Sequence, residues 1–295
     1  TYNTANILVP LLCLASLIIW RAKKEKWFIL IAAGAIFCSP LIYQIFFGHA
    51  ADRFGTVAIF NNKEIVAEID HYRNAGKNTL LSKIFYNKLT VSGRKILFNY
   101  FNAFGDNFLF KEGDVTFRHS LHQVGNLYWI ELPLIVWGLV VLVRKNNKSK
   151  GDWFLLSLLL IAPTAASLTF DGYNHASRLF LLVFPLSYLA AYGLNNINRY
   201  LIFSGLIILF FEFSFYQYYY WNFYRNESWR WWHTGYKEAM QYVAANKNNY
   251  SKVVMDNTYE PALIRYLFWS KSDPKMIFSL EDKMDKKVGS FNGFC

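Results

Sequence analysis

Cysteine is scarce in this sequence, with three in 295 residues. Cys13 and Cys38 lie inside apolar runs and Cys295 is the last residue, so neither a disulfide framework nor a cysteine metal spacing is present. The phosphate-cradling glycine loops GxGxxG and GKS/T are missing, as are the zinc-protease pattern HExxH and the nucleophile elbow GxSxG. No internal repeat or low-complexity tract stands out. The apolar runs lack the period-two polarity of barrel strands. No charged segment precedes the first of them, which argues against a secretory leader. The chain begins at Thr1 and ends Asn292-Gly293-Phe294-Cys295, and we read it as a piece of a longer protein.

What is present is apolar length. Hydrophobic residues make up 54% of the chain and aromatic residues 19%. Six runs approach the roughly 20 residues that a helix needs to cross a bilayer: residues 6–20, 27–47, 127–143, 153–170, 179–194 and 201–219. The first and fifth are short enough to be tilted or buried helices instead. The expected architecture is an all-α polytopic membrane protein over residues 1–219. Residues 220–295 are expected to form a small outer α/β domain, incomplete at its end.

The net charge is +11. In a water-soluble protein this would point to nucleic acid, but the position of the charge argues otherwise. Arg21, Lys23, Lys24 and Lys26 fill one short loop, and Arg144, Lys145, Lys148 and Lys150 fill another. Short loops rich in Lys and Arg remain cytoplasmic, so both read as topology signals and no nucleic-acid partner is expected. Residues 48–126 and everything after Tyr219 then face outward together.

Within residues 48–126, Ile65, Val66, Ile69 and Tyr72 recur at helical spacing. Residues 80–104 mix aromatic and basic side chains, as helices lying on a membrane surface do. Gly105 and Gly113 interrupt them. The aromatic cluster of residues 216–224, with Trp229, Trp231 and Trp232, reads as an interface belt. Residues 236–246 read as an amphipathic helix, 252–256 as a strand, and 261–269 as a helix opened by Pro261.

The densest polar chemistry lies between Lys111 and Glu131. It holds Lys111, Glu112, Asp114, Arg118, His119, His122 and Glu131, just before and inside an apolar run. Glu131 either faces a paired, wet environment or snorkels with Tyr128 and Trp129. His119 and His122 share a helical spacing but lack further metal ligands nearby. A second polar loop, residues 171–178, carries His175 and Arg178. The guanidinium fork suits phosphate; the alternative is an anchor to lipid headgroups. Glu212 sits within the sixth apolar run, as a functional carboxylate or as a helix-contact residue.

These stretches resemble a known family. Asn99-Tyr100-Phe101-Asn102-Ala103-Phe104 leads to Asn107-Phe108-Leu109-Phe110-Lys111-Glu112-Gly113-Asp114, then Arg118-His119-Ser120, Gly125-Asn126-Leu127-Tyr128 and Glu131-Leu132-Pro133. Ala162-Pro163, Leu168-Thr169, Asp171, His175-Ala176, Arg178 and Ala190-Ala191-Tyr192-Gly193-Leu194 follow the same pattern. Tyr2-Asn3-Thr4-Ala5 followed by Pro10 resembles a stretch usually read Tyr-His-Ser/Thr-Ala-Arg, with Asn3 where His is common. The pattern resembles bacterial membrane glycosyltransferases of family 39, near the protein O-mannosyltransferase and aminoarabinose-transferase group, which have the GT-C fold.

The resemblance implies transfer of a sugar from a polyprenyl-phosphate carrier to a protein or lipid acceptor outside the cytoplasmic membrane. It also implies that the acidic catalytic residue lies upstream of Thr1, so this piece alone would not turn over. Lys111, Arg118, His119, His175 and Arg178 then become candidates for holding the donor phosphate, with Glu131 supporting one of them. No cofactor is expected, although a divalent metal is compatible with such chemistry. Two other classes remain open: a transporter or flippase, and a non-catalytic membrane assembly protein.

Overall fold

A computed structural model describes residues 3–21, 27, 39, 43, 47, 58–170, 172–255 and 262–275. Most of the apolar run 27–47, the basic residues Lys23, Lys24 and Lys26, Asp171 and the last twenty residues lie outside the described residues. The chain is mostly helical, with no strand among the described residues. It divides into two units, Thr1–Tyr224 and Arg225–Cys295.

The first unit opens with α1 (Asn3–Trp20). Three helices fill the segment expected to be helical and outward: α2 (Lys63–Ala75), α3 (Leu80–Phe85) and α4 (Lys88–Asn102). Each begins where a short polar side chain satisfies a first-turn N–H. Asn62 accepts from Glu64 N at 2.7 Å, and Thr79 accepts from Ser82 N at 3.3 Å. Asn87 accepts from Leu89 N and Thr90 N at 2.9 and 3.0 Å, while Asn87 N donates back to Thr90 Oγ1 at 3.1 Å. That reciprocal box splits the stretch expected as one run over residues 80–104.

Four further helices follow: α5 (Glu131–Arg144), α6 (Lys150–Ile161), α7 (Val183–Leu194) and α8 (Arg199–Tyr219). The expected span at 153–170 is not one helix. α6 ends at Ile161, two residues before Pro163, and the chain resumes in the short helix Thr164–Ser167. Proline cannot donate to the helical ladder, so the run divides there. Among the described residues, two stretches are long and apolar enough to cross a membrane: Ala176–Leu194, which contains α7, and Arg199–Ser228, which contains α8. α5 and α6 are only 14 and 12 residues long. At about 1.5 Å per residue they fall short of a hydrocarbon core about 30 Å thick.

α5 and α7 meet at a glycine pair. A Cβ on Gly138 would lie 2.0 Å from Leu189 O, and one on Gly193 would lie 2.1 Å from Leu134 O. Only glycine permits this backbone-to-backbone approach, the small-residue contact common between helices in membranes. Around it Leu142, Leu179, Leu182, Leu186 and Leu189 form the core with Phe108, Leu109 and Phe110. At the far end of α5, Lys145 bonds Asp152 at 2.7 Å, and Asp152 also accepts from Ser149 N at 2.7 Å. The Trp20 ring at the end of α1 meets Phe154 edge-on at 5.7 Å, which brings Arg21 to that same end.

In the second unit the described residues give no support to the expected α/β domain. They form the short helix Arg225–Ser228, then α9 (Tyr236–Asn246) and α10 (Ala262–Trp269). Met240 of α9 packs with Ala262, Tyr266 and Leu267 of α10. Residues 252–255, expected as the start of a strand, form none; Asp256 lies outside the described residues. Valine-rich composition favours an extended chain, and here Val253 enters only an isolated β-bridge, short of a ladder.

Candidate functional site

The loops 103–130 and 162–178 close one end of the first unit, and each is built around a buried polar side chain. Asn99, at the end of α4, is wholly buried. Its amide donates to Thr169 O at 2.7 Å and to Phe170 O at 3.3 Å. This fixes the chain leading into residues 172–178. Gly172 packs so tightly that a Cβ would lie 1.7 Å from Ala166 O.

Asp114 joins the two loops. It is 1% exposed and accepts from Thr116 N at 2.7 Å, Thr116 Oγ1 at 2.9 Å and Ala176 N at 2.6 Å. Val115 N donates to Asn174 O at 3.1 Å beside it. His175 Nδ1 stands 4.0 Å from Asp114 Oδ1, within ion-pair reach when the imidazole carries its proton. Buried carboxylates of this kind persist because every lone pair that faces protein has a donor.

The expected phosphate-holding residues divide into two sets. His175 and Arg178 are held in place: His175 beside Asp114, and Arg178 Nη1 by donating to Thr169 Oγ1 at 2.9 Å. Arg118 and His119 lie exposed on the loop that Asp114 pins, with His119 N bonded to Thr116 O at 3.1 Å. Lys111 pairs with Asp106 at 2.5 Å. The Lys111 hydrogen bond holds the Asp106 carboxyl below its ordinary range. Glu131 was expected to support a basic group; instead it accepts from Tyr128 N at 2.8 Å.

The loop is shaped by special backbone. Gly113 has φ 78° and His122 has φ 59°. The His122 ring stacks on Phe117 at 4.0 Å, and Tyr224 Oη donates to Phe117 O. Leu127 N donates to Leu109 O at 2.7 Å, and Asn126 Nδ2 donates to Phe108 O at 2.8 Å. Gly125 allows this: a Cβ there would lie 2.4 Å from Leu109 O.

Glu212 of α8 reaches across to the start of α5. It accepts from Trp129 N at 3.0 Å and Ile130 N at 3.3 Å. With Glu131 on Tyr128 N, three successive amides entering α5 meet carboxylates, the favoured sign at a helix N-terminus. Two hollows flank this clamp. One of about 360 Å³ is lined by Phe110, Leu127, Phe211 and Phe215 among others. One of about 420 Å³ is lined by Ile130, Leu134, Ala190, Leu201 and Gly205 among others.

In the sequence Asp114 is one polar residue among several, and nothing local marks its central position. The Asp-x-Thr spacing is a local turn signal, but its partner Ala176 is 62 residues away. Glu212 stood out as an intramembrane carboxylate, although its acceptor role needed the three-dimensional pairing. Among the described residues, no three His, Cys, Asp or Glu side chains gather as metal ligands. No protein-family model, curated protein or solved structure matches this chain.

Proposed function

We propose that this chain belongs to a membrane glycosyltransferase that takes a sugar from a polyprenyl-phosphate donor and transfers it to a protein or lipid acceptor on the outer face of the cytoplasmic membrane. The observation that carries the reading is the Asp114 staple. It binds the loop of Arg118 and His119 to the turn of His175 and Arg178 through Ala176 N at 2.6 Å. Cations held at helix ends are the groups that stabilise a departing lipid phosphate as its charge develops. The hollow lined by Phe110, Leu127, Phe211 and Phe215 borders the same loop, and its apolar walls suit a prenyl chain. The acceptor's general base is not assigned among the described residues.

The basic residues at the opposite end support the membrane placement that this reading needs. Arg21, Lys145, Lys148 and Lys150 collect there through the Trp20–Phe154 contact, and basic loops stay cytoplasmic. The helices α2 to α4 then lie at the outer surface, against membrane lipids. A flippase would use a deep charge to line a path; Glu212 is instead occupied by two backbone amides.

The test is binding by the detergent-solubilised chain of a short-chain polyprenyl phosphate, compared with the corresponding prenol. The phosphate should bind at least tenfold more tightly. Arg178→Lys and Arg118→Lys should each weaken it by roughly ten- to a hundredfold, the worth of one charge-assisted contact. Equal binding of phosphate and alcohol, or wild-type affinity in both variants, overturns the reading.

A further inference from the structure

The turn from α3 into α4 carries an apolar corner that the loop cluster does not use. Leu80, Leu81, Ile84, Phe85 and Leu89 are each 52 to 77% exposed, and Ser82 alone in α3 is buried. The charge around the corner has one sign. From His71 to Gly105 the chain holds six Lys and Arg and no Asp or Glu. Three of the six are occupied within the fold. Arg73 Nε donates to Tyr86 O at 2.6 Å, Arg94 pairs with Glu68, and Lys95 Nζ lies over the Phe170 ring, 4.8 Å from its centre. Lys77, Lys83 and Lys88 stand exposed and make no ion pair among the described residues.

The backbone of the corner is also closed. α3 ends at Phe85, and the last carbonyls of a helix commonly turn to water. Here Ile84 O accepts from Asn87 Nδ2 at 2.7 Å, and Phe85 O accepts from Thr90 Oγ1 at 2.7 Å. Tyr86 O is taken by Arg73. Tyr86 N donates to Ser82 O at 2.9 Å, and Asn87 N donates to Thr90 Oγ1 at 3.1 Å. A segment that enters lipid needs its backbone polar groups served in this way, from within the chain.

We propose that this corner is a wedge that sinks into the bilayer surface and selects anionic lipid headgroups. The proposal rests on the outward placement of α2 to α4 and names the lipid which that placement meets. The five apolar side chains reach the acyl boundary while the three lysines stay at headgroup level, as on an interfacial helix. A soluble polyanion would engage the lysines and leave the apolar side chains in water. A zwitterionic surface would cover those side chains and leave the excess positive charge unanswered.

The experiment uses the full chain with Cys13, Cys38 and Cys295 changed to Ser and a nitroxide attached at Ile84→Cys. The chain is reconstituted in phosphatidylcholine vesicles with or without one-third phosphatidylglycerol. Collisions of the label with oxygen, which concentrates in lipid, are compared with collisions with a water-soluble nickel chelate. The oxygen-to-nickel ratio at Ile84→Cys should be lipid-like with phosphatidylglycerol and about fivefold lower without it, the effect of one engaged lysine. High salt, and the double variant Lys83→Gln with Lys88→Gln, should each remove the difference. A separate label at Phe210→Cys, an exposed position of α8, reports insertion of the chain itself. Water-like ratios at Ile84→Cys beside lipid-like ratios at Phe210→Cys overturn the wedge and leave the membrane reading standing. Water-like ratios at both positions overturn the two together. Equal ratios in the two lipids, or a difference that the lysine variant does not change, overturn the selection of anionic lipid. A label that neither reagent reaches means that protein covers the corner, which also overturns the proposal.

Discussion

The helical runs Ala176–Leu194 and Arg199–Ser228 pass the same test of length and apolarity, yet they hold different places in the fold. Of the first, 39% of its most apolar window is buried; of the second, none. The difference lies in where small residues fall. In α7, Ala190 and Gly193 let the backbone settle onto α5. In α8, Phe203, Phe210 and Phe213 remain exposed, and the helix is tethered at Glu212 and at its Tyr224 end. Apolarity puts a helix in the membrane, while small residues at the right register decide which neighbour it packs against.

The largest expected effect breaks the first helix and spares the second. Gly193→Leu places side-chain atoms where Leu134 O already stands, so α5 and α7 must separate. A loss of about 3 kcal/mol or more is expected. Gly205→Leu in α8 meets only the Ile130 side chain, 3.8 Å from its Cβ, and should change stability by less than about 0.5 kcal/mol. Thermal unfolding of the two solubilised variants measures the contrast. Comparable melting points would show that the glycine pair does not carry the packing.

Next in size is Asp114→Asn. The amide must present a donor to one of the three groups that now donate to the carboxylate, at a cost of about 2 kcal/mol. Hydrogen exchange should rise at Ala176 and Thr116 and stay unchanged in α6. Protection unchanged at Ala176 would mean that the staple is not what holds the loops together.

Glu212→Gln tests the tether of α8. One acceptor oxygen remains, so a loss of about 1 kcal/mol is expected. Exchange should quicken at Trp129 and Ile130 but not at the Gly138–Gly193 crossing. Equal quickening at both places would contradict the separation between tether and packing.

The smallest effect is a pH dependence at the basic end. Burial alone would raise the Asp152 carboxyl, but its bond to Lys145 and those to Ser149 outweigh burial and hold it below its ordinary range. The same hydrogen bond raises Lys145. Asp152 therefore contributes stability above its unfolded-state value of about 4, and this is lost as pH falls through the lower folded value. Lys145 contributes below about pH 10.4 and loses its share as pH rises through its raised value. Asp152→Asn should flatten the acid limb of a stability profile; an acid limb equal to wild type would refute the assignment.

Helix starts were legible wherever the signal was local. Ser149 with Asp152 forms a Ser-x-x-Asp capping box, a local pattern that the apolar run counted from residue 153 passed over. The periodicity of residues 236–246 matches α9. Residues 153–170 misled because hydropathy counts Pro163 as tolerable, whereas the backbone hydrogen-bond ladder does not. Residues 252–255 misled because valine favours extended chain, whereas only Val253 enters a bridge and no ladder extends along the described residues. In the loop cluster, the charged residues were visible as a concentration between Lys111 and Glu131. What organises them was not, since Asp114 works through Ala176 and Glu212 through Trp129, 83 residues apart in sequence. Long-range acceptors of this kind leave no local pattern.

The central claim is that the stapled loops hold the phosphate end of a lipid-linked sugar. The most direct measurement is photo-crosslinking of the full chain in its native membrane. The probe is a polyprenyl-phosphate sugar with a diazirine next to the phosphate, and the labelled peptides are mapped by mass spectrometry. The account predicts labelling in both loops, residues 111–122 and 172–178, abolished by excess unlabelled donor and reduced in Arg178→Lys. Labelling confined to the exposed face of α8, or labelling that excess donor does not displace, would contradict it.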